Sequence, residues 1–204
     1  MAFAARVVSS FLTVGNNYEF IKDGADAFAL QLTPRETVTL VFNFDAAGTT
    51  DDIEIEILQG HRESSGNTFD SVTDASNLEL DTAADGFTND DDMNGLFITI
   101  TDAAAAERGE GKLITDSAAV DDGVVLATAL SSAPSAAESY DLWRLSAVWN
   151  FIMNTFTPTD DIPHNGRVTV DAADGEWVLV RARRDGVTDA HRVRFSYQRD
   201  GVSV

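Results

Sequence analysis

The chain contains no cysteine. That excludes disulfides and cysteine-ligated metal, and it leaves the compartment open, because many extracellular particles also dispense with disulfides. Lysine is almost missing. Of fourteen basic residues only Lys22 and Lys112 are lysines, and the rest are arginine. Against them stand 34 carboxylates, mostly aspartate, for a formal net charge of −20. Such a surface repels nucleic acid and anionic membrane, so direct binding to either is disfavoured. Two accounts fit this composition: life in high salt, where hydrated carboxylates keep a protein soluble, and a GC-rich genome that favours Ala, Gly, Arg and Asp codons. No window approaches the roughly 18 apolar residues of a membrane-spanning helix. The N-terminal "MAFAARVVSSFLTV" has one Arg and no continuous apolar run, and Ser9 and Ser10 interrupt it. It reads as a first strand or arm and not as a secretory signal.

What the chain does contain is alternation. At 204 residues it is long enough for one large domain or two small ones with a real core. Phe28, Leu30 and Leu32 fall on one face of an extended segment, as do Val38, Leu40, Phe42 and Phe44. Ile53, Ile55 and Ile57 oppose Glu54 and Glu56, and Leu96, Ile98 and Ile100 share a side. "GRVTV", "EWVLVRARR" and "HRVRFSYQ" repeat the habit near the C-terminus. The connectors are turn chemistry, Ala-Gly at 47–48 and Asp-Gly at 174–175, 185–186 and 200–201. The expected class is therefore mainly β, an antiparallel β-sandwich of immunoglobulin-like or jelly-roll-like kind. It is read as a single domain over 1–204, with an inserted or extended segment at about 80–165.

That middle segment carries helical signals. "DAAAAERGEGK" (102–112) fits one short helix ending at Gly109. In "PSAAESYDLWRLSAVWNFIMNTFTP" (134–158), Ser135 and Glu138 have capping-box spacing. Leu142, Leu145, Val148, Trp149, Ile152, Met153 and Phe156 then share one helical face, and Pro158 supplies a stop. Trp143 and Phe151 oppose this reading. A partly helical insertion is the expectation. Residues 60–76 and 81–95 read as loops, and "GVVLATAL" within 116–134 reads as strand or helix.

One phrase occurs twice. "GTTDDIEIEI" begins at Gly48 and "GVTDAHRVRF" at Gly186, each preceded by an alternating strand. Gly supplies a positive φ, and Thr and Asp hydrogen-bond the turn backbone, so each copy reads as a β-hairpin of one turn design. The segments "TVTLVFNFDAAGTTDDIEIEILQG" and "VLVRARRDGVTDAHRVRFSYQRDGVS" resemble a group of small β-sandwich structural proteins of tailed bacteriophages and archaeal viruses. The resemblance covers about 36–60 and 176–204, and residues 80–165 depart from it. It implies a non-enzymatic virion component and carries over no active-site residues.

Candidate chemistry is sparse. In "DDDMNG", Asp90, Asp92, Asn94 and Gly95 match the first, third, fifth and sixth positions of a calcium loop, with hard oxygen ligands at alternate positions before a glycine turn. The twelfth position is Thr101 instead of a bidentate Glu, and Leu96–Thr101 reads as strand, which argues against an EF-hand and leaves a simpler Ca²⁺ loop or a solvated acidic turn. His61, His164 and His191 lack zinc spacing. No G-x-S-x-G elbow or phosphate-binding glycine loop is present, and carboxylate pairs arise by chance in so acidic a chain. The other cluster is basic. Arg181 and Arg183 alternate on one strand, and Arg192 and Arg194 on the next. They either pair with Glu54, Glu56 and other carboxylates of a neighbouring sheet or face a partner subunit, where the planar guanidinium binds carboxylates bidentately. The expectation is a virion structural protein, a capsid decoration or cement subunit or a neck or tail component. Its partners are other copies in a homo-oligomer and the major capsid or neck/tail protein; no catalytic residues or obligatory cofactor are expected. The alternative is a secreted calcium-dependent carbohydrate-binding module, favoured if Trp143 or Trp177 forms an exposed aromatic platform.

Overall fold

The computed structural model describes residues 6–8, 12–13, 18–46, 52–81, 88–102, 104–118, 123–153, 164–185 and 191–200. Among them run seventeen strands: β1 (Arg6–Val7), β2 (Leu12–Thr13), β3 (Glu19–Phe20), β4 (Lys22–Asp23), β5 (Asp26–Ala27), β6 (Ala29–Gln31), β7 (Thr37–Ala46), β8 (Asp52–Thr68), β9 (Ser71–Val72), β10 (Asn77–Glu79), β11 (Leu96–Ile100), β12 (Gly111–Ala118), β13 (Gly123–Leu126), β14 (Ser139–Met153), β15 (His164–Asp171), β16 (Trp177–Asp185) and β17 (His191–Asp200). The chain divides into two compact units. The first holds Met1–Gly24, Phe28–Gln59 and Ser146–Val204, and the second Ala25–Ala27 and Gly60–Leu145.

In the first unit, one layer has the order β1-β17-β7-β15, with β2 also on β17. The other has β3 and β6 on β16, then β8, then β14. Alternation explains the pairing of layers. Val38, Leu40 and Phe42 of β7 and Val193, Phe195 and Tyr197 of β17 share one core with Ile53, Ile55 and Ile57 of β8 and Val178, Val180 and Ala182 of β16. Phe28 meets Phe195 edge-on, ring centroids 4.8 Å apart. Each such side chain contributes roughly 1.5–3 kcal/mol by leaving water.

The wiring corrects the hairpin reading of the repeated phrase. β7 and β8 do not pair with each other, and neither do β16 and β17; each couple crosses from one layer to the other. β7 pairs instead with β17, from His191↔Ala46 to Asp200↔Thr37, while Arg183 on β16 reaches Glu54 on β8. Seven residues separate Ala46 from Glu54 and seven separate Arg183 from His191, so the two connections between the layers are equal in length. The phrases themselves, at 47–51 and 186–190, and the "DGVS" end lie outside the described residues. β14 and β15 form another such crossing, as do β1/β2 and β3/β6, which gives the strand order of a double-sheet jelly roll.

In the second unit, the neighbours run β8-β14-β11-β12-β13-β10-β9. Phe69, Leu78, Leu80, Ile98, Ile114, Tyr140 and Leu142 form its core. The expected partly helical insertion is overturned: no α-helix occurs among the described residues, and the one helical turn is 3₁₀, Ala172–Asp174. Residues 139–153 are β14, buried on both faces near Leu142 and Trp143, which mimics a helix's irregular apolar spacing. Half of the capping box exists: Ser135 N–H donates to Glu138 Oε2 at 2.9 Å, while Glu138 N–H donates to the Ser135 carbonyl at 3.1 Å and not to its hydroxyl. It closes a turn with Ala137 at φ 73°, and the chain leaves that turn extended. Pro158 and Phe156 lie outside the described residues. Residues 104–110 form turns before β12, with Gly109 at φ 79°. Part of the expected loop at 60–76 is strand, because Asp141 accepts from Gly66 N–H at 2.9 Å and Glu63 pairs with Arg144 at 2.6 Å, both on β14. "GVVL" is strand β13.

Candidate functional site: arginines on two faces of the first unit

The crossing of β16 and β17 into different layers separates the four arginines. Arg181 and Arg183 lie on β16, on the face away from Val178, Val180 and Ala182. Arg181 pairs with Glu56 and Arg183 with Glu54, the latter at 2.6 Å. The descending order of partners is that of an antiparallel pair. Both guanidinium groups also stack on Tyr18, 4.5 and 4.7 Å from the ring centre, and the Tyr18 hydroxyl donates to Glu54 Oε2 at 2.8 Å. The arrangement is a closed lattice of two cations, two anions and one aromatic ring. The Arg183 guanidinium, first of all, holds the Glu54 carboxyl below its ordinary value; burial opposes this and Tyr18 assists. Burial, then the hydrogen bond to Glu54, pushes the Tyr18 hydroxyl up. Intramolecular pairing with Glu54 and Glu56 is thus what the structure holds at Arg181 and Arg183. Tyr18 was not legible, because a lone tyrosine in a polar segment carries no periodic signal.

Arg194 lies on β17, opposite in parity to the core residues Val193 and Phe195. It faces Asn43 of β7, and Arg192 faces Asp45 by register. By parity Arg194 belongs to the side of the other layer away from that core, so the predicted basic cluster is divided between two layers. The same side carries buried Thr39, whose hydroxyl meets that of Thr169 at 3.3 Å, and the exposed Arg167, Thr169 and Asp171 of β15.

The candidate calcium loop lies in the second unit. Asp90, Asp92 and Asn94 are exposed within the turn before β11. Asp92 Oδ2 accepts from Thr88 N–H at 3.1 Å and Asn89 N–H at 2.8 Å. These donors hold its carboxyl below the ordinary range. Asn94 turns its amide N–H₂ toward Asp91 Oδ1 at 2.7 Å. The loop is internally hydrogen-bonded as an Asx turn, and among the described residues no group of three acidic or histidine side chains is placed to hold a metal. His61 is exposed on β8, and His164 and His191 open β15 and β17. Trp143 is 2% exposed, its Nε1–H donating to Thr99 Oγ1 at 2.9 Å under Arg62, so it offers no platform; Trp177 is half-buried. No family model, curated protein or solved structure matches the chain.

Proposed function

We propose that the chain is a virion structural protein of a tailed virus, a capsid decoration or cement subunit or a neck or tail component, acting by subunit assembly without turnover. One observation carries this reading. The two segments that resemble tailed-virus sandwich proteins are strand-by-strand neighbours in the first unit, β7 beside β17 in one layer and β8 beside β16 in the other. They supply the centre of its core. Double-sheet jelly rolls recur in viral capsid and lectin domains, and a fold alone does not choose between such roles. The burial of Trp143 weighs against the carbohydrate-binding reading. In the particle the partners are other copies of the chain and the major capsid or neck/tail protein, met through charged surface. The test is mass spectrometry of purified particles. Recovery in fixed stoichiometry with the capsid or tail proteins is the expected result, and loss of the chain on purification overturns the reading.

A further inference from the structure

The outer strand of one layer points to how a copy meets another. β15 pairs with β7 along its whole length, from His164↔Phe44 to Asp171↔Thr37. Among the described residues it has no neighbour on its other side. The backbone donors and acceptors of β15 that point away from β7 form a template for another strand. Natural sheets blunt such edges with proline, lysine or a bulge, and "HNGRVTVD" contains neither proline nor lysine, while its register with β7 is unbroken.

The charges on this edge are unusual for the chain. Arg167 is exposed, and no carboxylate lies within ion-pair distance of it among the described residues. Other described arginines, such as Arg6, Arg108, Arg181 and Arg199, each hold a carboxylate. Four residues on, and therefore on the same face, stands exposed Asp171. Its position is fixed. Oδ1 accepts from Ala173 N–H at 2.8 Å. Gln59 Nε2 donates to the Asp171 carbonyl and, at 2.6 Å, to the Gly175 carbonyl. Between the two charges lie Val168, Thr169 and Val170, so the segment Arg-Val-Thr-Val-Asp is complementary to itself when reversed.

We infer that β15 pairs antiparallel with β15 of a second copy about a twofold axis at Thr169. Arg167 then faces Asp171 of the partner copy twice, once on each side of the axis. Thr169 faces its own equivalent, and Val168 faces Val170 on the core side. The charges set this register. A twofold normal to the sheet keeps outward residues opposite outward residues, so the strand shifts by whole residues about its axis. Centring on Val168 or Val170 leaves Arg167 opposite Thr169 or Ala173, without an anion. An isologous contact of this kind closes as a dimer and does not propagate. The pairing deepens the assembly reading and rests on it for its use in the particle.

The test is independent of any particle and uses the full chain: analytical ultracentrifugation of wild type, Arg167→Glu and Asp171→Lys, separately and mixed. Wild type is expected to dimerise. Each single variant places like charges opposite each other twice and weakens the dimer roughly tenfold or more. The two variants mixed restore opposite charges at every contact and recover a heterodimer near wild-type affinity. Asp171→Asn keeps the acceptor for Ala173 while removing the charge, and it is expected to weaken the dimer with an unchanged melting temperature. A wild type that stays monomeric, or that binds through β15 only to another virion protein, overturns the pairing, as does a mixture no tighter than either variant alone. Recovery from particles is scored separately. A monomer still found in particles removes this pairing and leaves the virion reading; a dimer absent from particles does the reverse.

Discussion

At the scale of single residues, the lattice around Tyr18 and a buried glycine make the sharpest demands. Glu54 has its carboxyl lowered chiefly by Arg183. A group with a lowered folded value contributes stability above its unfolded value, about 4.3 for glutamate, and that contribution is lost as pH falls through the folded value. Tyr18 has the opposite sense: its raised value gives stability that is present below about pH 10 and lost as pH rises further. Urea midpoints measured across pH are expected to fall at both ends. Glu54→Gln is expected to lower the midpoint at pH 7 and flatten the acid limb, and Tyr18→Phe to flatten the alkaline one. An acid limb unchanged in Glu54→Gln assigns it to other carboxylates. Gly60 is constrained by space. A Cβ there overlaps the Arg144 carbonyl and sits 2.8 Å from the Leu145 Cα, both backbone groups that cannot swing away. Gly60→Ala is expected to cost about 3 kcal/mol in chemical denaturation. At Asp92 the carboxylate is occupied by the amides of Thr88 and Asn89. Asp92→Ala is expected to lower the melting temperature equally in calcium and in chelator, and a calcium-dependent difference restores the metal reading.

At the scale of elements, the strands of the first unit were legible because one face of each is apolar and the other polar, as in Ile53, Glu54, Ile55 and Glu56. β14 was not, because it is covered on both sides at Leu142 and Trp143, and burial on both faces erases the period of two. The signal at Ser135 and Glu138 was genuine at the level of hydrogen bonds and misleading at the level of the element. A capping box closes the first turn of a helix only if the following residues take right-handed φ, and Ala137 takes φ 73°. A left-handed alanine is strained and a glycine is not. Ala137→Gly is therefore expected to stabilise the protein by roughly 0.5–1 kcal/mol, and a loss of stability by thermal melting refutes the strain. The repeated phrase was misread for a related reason. Gly, Thr and Asp specify that the chain turns, whereas whether its flanking strands pair with each other or cross between layers depends on what lies beside them. Here β17 takes the place beside β7 that β8 has in a hairpin. The same crossing explains the candidate site, since two arginine pairs adjacent in sequence were legible and their separation onto opposite layers was not.

At the scale of the whole molecule, the net charge of −20 is the dominant property. Described arginines are largely held in ion pairs such as Arg62 with Asp141 and Arg199 with Glu36. Exposed carboxylates such as Asp70, Asp116, Asp174 and Glu176 have no cation within ion-pair distance among the described residues. The folded state therefore concentrates like charge that the unfolded chain spreads out, and this repulsion opposes folding. Salt relieves it over separations longer than the Debye length, which is about 8 Å at 0.15 M. The short, partly buried pairs, Arg181 with Glu56 among them, are screened much less. Added salt is thus expected to raise the unfolding midpoint, most steeply up to about 0.15 M. What happens beyond that separates the two accounts of the composition. Hydrated carboxylates adapted to brine continue to gain stability into molar potassium chloride, because there the relevant process is competition for water and ions at the surface and not screening. A composition set by codon usage has no such reserve, and its midpoint levels off once the long-range repulsion is screened. The scarcity of lysine does not decide this, but the placement of charge favours brine: Lys112 is largely buried, its side chain 16% exposed beside Glu110, and the unpaired carboxylates are on the outside. The expected outcome is a midpoint still rising between about 0.5 and 2 M, well past the range of screening, and a plateau across that interval assigns the acidity to base composition.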